Sequence, residues 1–281
     1  MADSNSSNHT LAGFSGSLVL IGAGKMGGAM LQGWLALGFD PGKAAVFEPQ
    51  PSDELAALAK RGVRLNPPAD GVGDVGAMVI AVKPQVAGEV VPAYAQLVDP
   101  STVAVSIMAG QTLKTLSGLL PAGTAIVRSM PNTPAAIGRG ITVAVANAQV
   151  SSAQRDLAHR LLAAVGAVEW VEDEALMDAV TAVSGSGPAY VFLLAEAMAA
   201  AGVAAGLPPA LAARLARDTV AGSGELLHRS DVDAAVLRQN VTSPGGTTEA
   251  ALEVLMAPQG LQPLMERAVA AATRRSRELA G

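Results

Sequence analysis

The segment Leu18-Val19-Leu20-Ile21 runs directly into Gly22-Ala23-Gly24-Lys25-Met26-Gly27. An apolar strand, a G-x-G-x-x-G loop and a helix-like stretch therefore follow one another without a break. That succession demands a strand whose C-terminal end turns sharply into a helix, the opening unit of an alternating α/β domain. Gly22 permits the tight turn, Gly24 lets backbone approach a bound pyrophosphate, and Gly27 lets the helix pack close to the strand. The pyrophosphate then rests on free N–H groups at the helix N-terminus.

The alternation continues to about Val171. Candidate strands are Leu18–Ile21, Ala45–Phe47, Met78–Val82, Val103–Ile107, Ala125–Val127, Ile141–Val145 and Val168–Val171. Candidate helices are Met26–Leu37, Asp53–Arg61, Gln85–Leu97, Leu113–Leu119 and Ala153–Val165. Ser52 is placed to cap the second of these, with Gly62 just past its end. Strands alternating with helices imply a doubly wound, mostly parallel sheet covered on both faces. From Glu174 onward the strand signals vanish and alanine, leucine and arginine dominate, giving five or six helices. Several are apolar all round and must be buried. So small a domain offers them little interior, which points to packing against a second subunit. The expected division is a loose tail over 1–16, an α/β domain over 17–172 and an all-α domain over 173–281. The tail is polar, rich in Ser and Asn, and lacks the basic start and apolar core of a signal peptide.

Of 281 residues half are apolar and 15% charged, so the chain is globular. The net charge of −5 and an aromatic content of 3% argue against nucleic acid, which needs a cationic face or stacking platforms. Cysteine is absent, which excludes disulfides, thiolate metal sites and cysteine nucleophiles. His9, His159 and His228 are too scattered to suggest a metal site. Pro188–Leu207 is the most apolar long stretch, yet Glu196 sits in its middle; a buried or interfacial helix fits better than a membrane span. The expected location is cytoplasmic.

Glu48 ends the second strand, about 20 residues after the glycine loop, where an acid accepts hydrogen bonds from the adenosine ribose of NAD. It would repel the additional phosphate of NADP, and no Arg or Lys lies between Glu48 and Lys60 to bind that phosphate. The bland reading is a solvated glutamate in the turn Glu48-Pro49-Gln50-Pro51. The cofactor is NADPH or NADH, with a lean to NADH.

Five further segments complete the pattern: Ala81-Val82-Lys83-Pro84-Gln85, Ser106-Ile107-Met108-Ala109-Gly110, Arg128-Ser129-Met130-Pro131-Asn132-Thr133-Pro134, Ser184-Gly185-Ser186-Gly187-Pro188-Ala189-Tyr190 and Asn240-Val241-Thr242-Ser243-Pro244-Gly245-Gly246-Thr247-Thr248. In this order and spacing, from Leu18 to about Leu279, the chain resembles the Δ1-pyrroline-5-carboxylate reductases. The resemblance implies a Rossmann domain followed by an all-α dimerisation domain, a homodimer that in many members assembles into a decamer, and reduction of the C=N bond of pyrroline-5-carboxylate to L-proline. By motif it places Gly22, Ala23, Gly24, Lys25, Met26, Gly27 and Glu48 on the cofactor. Ala81, Val82, Lys83, Pro84, Ala109, Met130 and Asn132 would line its nicotinamide side. Ser243, Gly245, Gly246, Thr247 and Thr248 would hold the substrate carboxylate, with Asp231 close by; Thr248, Ser243 and Thr181 are the candidate catalytic residues. NADP-preferring relatives often carry serines where this chain has Glu48-Pro49-Gln50.

The chemistry asks little of an acid or base. A cyclic imine is basic enough to be protonated, and the iminium already accepts hydride well, so cofactor and substrate carry the reaction. A carboxylate anchor fixes the ring, and the glycines, hydroxyls and helix start around Thr248 suit that task. Gly185-Ser186-Gly187 lacks the spacing and preceding strand of a hydrolase elbow. Tyr190 fits core packing better than proton donation. β-Hydroxyacid and 6-phosphogluconate-type dehydrogenases share the glycine loop but use a lysine in their helical domain. Here all five lysines, Lys25, Lys43, Lys60, Lys83 and Lys114, precede it. A nicotinamide-binding sensor without turnover is the remaining alternative.

Overall fold

The computed structural model describes residues 10–280. It divides into two compact units. One holds the chain up to Gly185 together with the stretch from Thr273 onward, and the other spans Ser186–Ala272.

The first unit is built on one sheet of eight strands: β1 (Ser17–Ile21), β2 (Ala44–Phe47), β3 (Arg64–Leu65), β4 (Val75–Ile80), β5 (Val103–Ser106), β6 (Ala125–Met130), β7 (Gly140–Ala146) and β8 (Gly166–Trp170). Their order is β3-β2-β1-β4-β5-β6-β7-β8. All pairs are parallel except β6–β7. A parallel sheet is buried on both faces, so its strands read as unbroken apolar runs. Every residue of β1 is buried accordingly. Leu18 and Leu20 join the core on one face with Trp34, Val46 and Val79, while Val19 and Ile21 join Met78, Ile80 and Leu116 on the other. Burying each such side chain contributes roughly 1.5–3 kcal/mol. Trp34 is fully buried and donates its indole N–H to the Leu161 carbonyl at 2.8 Å. That bond ties α1 (Lys25–Ala36) to α5 (Ser152–Ala163).

The remaining helices here are α2 (Asp53–Lys60), α3 (Ala87–Ala93), α4 (Leu113–Leu119) and α6 (Met177–Val180). Ser52 caps α2 by accepting from the Leu55 N–H, as its position implies. The helix expected over Gln85–Leu97 is broken instead. Short 3-10 turns flank α3, and Pro92, lying inside it, removes one backbone donor. Strand β3 escapes sequence reading because two residues cannot display a period.

Two expected boundaries differ. Of the tail expected over 1–16, Met1–His9 lie outside the described residues, but Leu11 and Phe14 are buried in the core. Leu11 donates to the Leu37 carbonyl at 3.1 Å, and Phe14 packs against Phe39 with ring centroids 5.3 Å apart. The segment beyond Val171 also stays with the first unit as far as Gly185. Met177 is fully buried beside Val143 and Val145, and Glu174 is paired with Arg128.

The second unit is helical: α7 (Gly187–Ala204), α8 (Pro209–Arg229), α9 (Ala234–Asn240), α10 (Thr247–Leu255) and the first part of α11 (Leu261–Ala280). Gly206, at φ +99°, ends the turn after α7, and Pro208-Pro209 starts α8. The two helices meet closely at Gly202, where an added Cβ would lie 3.2 Å from that of Ala212. Ala212 and Ala216 are buried there, yet Phe192, Leu193, Leu226 and Val254 face outward.

Candidate cofactor and substrate sites

Strand β1 has β2 on one side and β4 on the other, so the order reverses there. Ligands of open α/β sheets bind outside the C-terminal ends of strands at such a reversal. The C-terminal ends of β1 and β4 lead into Gly22 and Ala81. Gly22 donates to the Phe47 carbonyl at 2.9 Å, and Ala81 to Ile21 at 2.8 Å. Gly22 has φ +87°, and a Cβ on it would meet the Ala81 carbonyl oxygen at 2.8 Å. A Cβ on Gly27 would strike the Gly22 carbonyl oxygen. Gly24 differs: nothing lies within 4 Å of where its Cβ would be. Two glycines are filled by the protein itself, and the third faces open space.

Gly24 is also the N-cap of α1, with no side chain serving as cap and no acid in the first turn. Unsatisfied N–H groups and a positive dipole end therefore meet a space that an anion can occupy. A cleft of about 520 Å³ opens over this turn, lined by Ala23, Gly24, Lys25, Gly28, Glu48 and Ser52 among others. Met26, half-buried, packs against the core instead. The donor set fits the diphosphate of a dinucleotide.

Glu48 follows β2 directly and reaches the glycine loop. Its Oε2 accepts from the Ala23 N–H at 2.9 Å and its Oε1 from the Gln50 N–H at 3.0 Å. Its backbone is held by Asn66, which sequence reasoning missed. Asn66 Oδ1 accepts from the Glu48 N–H and Asn66 Nδ2 donates to the Glu48 carbonyl, both at 2.9 Å. Asn66 sits at φ +47°, the sole non-glycine with positive φ among the described residues. Such a conformation costs about 1–3 kcal/mol and persists only where its surroundings fix it. The available signal was an asparagine directly ahead of two prolines, Asn66-Pro67-Pro68, which marks a turn. Arg64 is turned away, donating to Gly71, Val72 and Ser17.

The nicotinamide-side candidates follow β4, β5 and β6. These strands are adjacent and parallel, so Ala81-Val82-Lys83-Pro84, Ala109 and Asn132 leave the same edge of the sheet, with Met130 ending β6. Lys83 and Ala109 are exposed. Asn132 is oriented by accepting from the Ile141 N–H at 3.0 Å. Met130 abuts Gly185, where a Cβ would come within 2.6 Å of the Met130 methyl carbon. Behind this edge, Arg128 is 5% exposed and donates to Glu174 Oε1 at 2.8 Å. The same oxygen accepts from the Leu113 N–H at 2.7 Å. Thr181 opens a π-helical stretch, Thr181–Gly185, and donates its hydroxyl to the Met177 carbonyl at 2.8 Å. Its oxygen can then act only as an acceptor.

The substrate candidates Ser243, Gly245, Gly246, Thr247 and Thr248 form one loop and helix start in the second unit. The Gly246 N–H closes a turn on the Ser243 carbonyl at 3.0 Å, and Gly245 takes φ +69°. Glu249, another residue not singled out from sequence, accepts from the Gly245 N–H at 2.7 Å and so fixes the loop. Gly246 is the N-cap of α10 without a side-chain cap. The first-turn amides of Thr247 and Thr248 thus lack acceptors within the helix. Asp231 is exposed in the turn between α8 and α9, apart from this loop in sequence and without a hydrogen bond to it among the described residues. Thr181 belongs to the first unit, and Asp231 and the loop to the second.

Residues 174–279 match the family model for pyrroline-5-carboxylate reductase dimerisation, and residues 17–110 that of the coenzyme F420-dependent NADP oxidoreductases. The chain is 41% identical over 264 residues to the pyrroline-5-carboxylate reductase of Pseudomonas aeruginosa, covering 94% of this chain and 96% of that one. With that of Synechocystis sp. the identity is 42%, covering 93% and 97%. Among solved structures it resembles a pyrroline-5-carboxylate reductase from Coxiella burnetii with a TM-score of 0.87 at 34% identity, covering 95% of this chain and 99% of that one. The Plasmodium falciparum pyrroline carboxylate reductase with NADP bound gives a TM-score of 0.77 at 28% identity, again covering 95% and 99%.

Proposed function

Because the chain belongs to the pyrroline-5-carboxylate reductase family, we propose that it reduces the C=N bond of 1-pyrroline-5-carboxylate to L-proline, the last step of proline biosynthesis. The observation that carries this reading is the open side of the glycine loop. At the strand reversal Gly24 faces free space beside uncapped helix amides, while its two partners are filled by protein. A bound nicotinamide dinucleotide supplies the hydride. The first turn of α1 would hold its diphosphate and Glu48 its adenosine ribose, which favours NADH over NADPH.

On the substrate side the protein must bind and orient. Gly245 and Gly246 shape the turn through their own amides, while the Thr247 and Thr248 amides at the helix start and the Ser243, Thr247 and Thr248 hydroxyls form a donor set suited to a carboxylate. Holding a reactive ring in one pose lowers a barrier by as much as about 7–11 kcal/mol. An iminium already carries its proton on nitrogen, so hydride addition at the neighbouring carbon needs no general acid, which agrees with a Thr181 hydroxyl already donated to backbone. The chain self-associates through its dimerisation region; we take the working form as a cytoplasmic homodimer, with the decamer as its higher assembly.

The test is the loss of reduced-nicotinamide absorbance on adding pyrroline-5-carboxylate. A saturable rate is expected with NADH, NADPH or both, and no rate with either overturns the proposal. Thr248→Ala should raise the KM for pyrroline-5-carboxylate about tenfold, the effect of one lost hydrogen bond to a charged group. The KM for NADH should move far less. Equal effects on both would remove the loop from the carboxylate site.

A further inference from the structure

The backbone pairing that should hold Glu48 runs out just before it. β3 offers Arg64 and Leu65 opposite Ala45 and Val46, and the Asn66 N–H reaches the Val46 carbonyl at 2.8 Å. Pro67 and Pro68 come next, and neither has an N–H to continue the ladder. The two backbone groups of Glu48 are met instead by a single side-chain amide, that of Asn66, which mimics one further strand residue. Asn66 does this at positive φ directly ahead of a proline, a position with few accessible conformations. The clamp continues through Glu48 into its carboxylate, whose Oε2 holds Ala23 of the glycine loop. One line of hydrogen bonds therefore joins Asn66, Glu48 and the turn at the start of α1.

We infer that Asn66 is a positioning residue for cofactor selection. It fixes Glu48 so that the carboxylate stays at the ribose edge of the cleft, accepting from a 2′-hydroxyl and repelling a 2′-phosphate. This rests on the reading of that cleft as the dinucleotide site. A carboxylate has about four acceptor positions; the Ala23 and Gln50 amides use two and leave room for ribose hydroxyls. Rejection needs the charge to stay in place, because a glutamate free to swing toward water would admit the phosphate. The clamp fixes the main chain of Glu48, and from that fixed position the Ala23 and Gln50 amides hold the carboxylate in place.

The experiment measures the binding of ADP-ribose and of its 2′-phosphorylated counterpart to the full chain by calorimetry. These fragments lack nicotinamide, so hydride transfer and the substrate loop do not enter. Asn66→Gly keeps the positive φ without strain and deletes only the amide clamp; Glu48→Ser removes the carboxylate. Asn66→Gly should weaken ADP-ribose about tenfold and shift the affinity ratio toward the phosphorylated fragment, in the direction of Glu48→Ser. The turnover number at saturating NADH and the KM for pyrroline-5-carboxylate should stay as in the parent. If Asn66→Gly lowers the melting temperature but leaves the ratio alone while Glu48→Ser shifts it, Asn66 is only structural and the inference fails, with the cofactor reading intact. A ratio unmoved by both substitutions sinks the two together.

Discussion

A single added methyl group distinguishes the glycines of the loop after β1. At Gly24 it would enter the space assigned to the diphosphate and touch no protein atom. Gly24→Ala should therefore keep the melting temperature of the parent while raising the KM for NADH. At Gly27 the same methyl group meets the Gly22 carbonyl, which is backbone and cannot swing aside. Gly27→Ala should cost about 1–3 kcal/mol of stability, as overpacking does, read from the midpoint of urea unfolding. Equal effects of the two substitutions on melting would contradict this division. The glycine roles are legible from spacing alone, since steric demands on backbone are written as residue identity. Asn66 and Glu249 are not, because Asn66 acts where a strand ladder stops and Glu249 where a helix starts, and those points depend on tertiary register.

Between elements, one carboxylate oxygen joins three. Glu174 Oε1 accepts from Arg128 on β6 and from the Leu113 N–H at the start of α4, while Glu174 itself leads into α6. The flanks of that joint carry Met130, Asn132 and Thr181. Glu174→Ala leaves the buried Arg128 without its carboxylate and should destabilise by about 3 kcal/mol. Because Glu174 is 30% exposed, a loss near the lower end is expected, visible in the same unfolding midpoint. A change within error would mean that water replaces the carboxylate at no cost. The seven strands read from sequence are apolar enough to betray themselves. The domain boundary was not, because helical signals begin at Glu174 whereas the ion pair that keeps the segment with the sheet spans distant positions. Pro92 is plain in the sequence, and its missing N–H interrupts the helix that the surrounding pattern implies.

At the scale of the whole molecule, the helical unit displays more apolar surface than water tolerates. Phe192 is 63% exposed and Leu193 62%, on a helix that buries none of its residues within one protomer. Continuous apolar patches of this kind mark interfaces. The helical run Glu174–Ala204 is long and apolar enough by composition to cross a membrane; the dimerisation match over the same residues gives it a protein neighbour. Phe192→Asp should convert the oligomer to a slower-sedimenting species with its helical circular dichroism retained. An unchanged sedimentation coefficient would take that face out of the interface. An all-round apolar helix announces from sequence that something must cover it, but which faces meet needs two chains in view.

Leu11 and Phe14 act as a stopper in the floor of the α/β unit, wedged beneath the far end of α1. Shortened versions of the protein made for crystallisation or display should begin no later than Thr10. Starting at Ser17 would uncork Phe39 and invite clumping of otherwise well-folded chains.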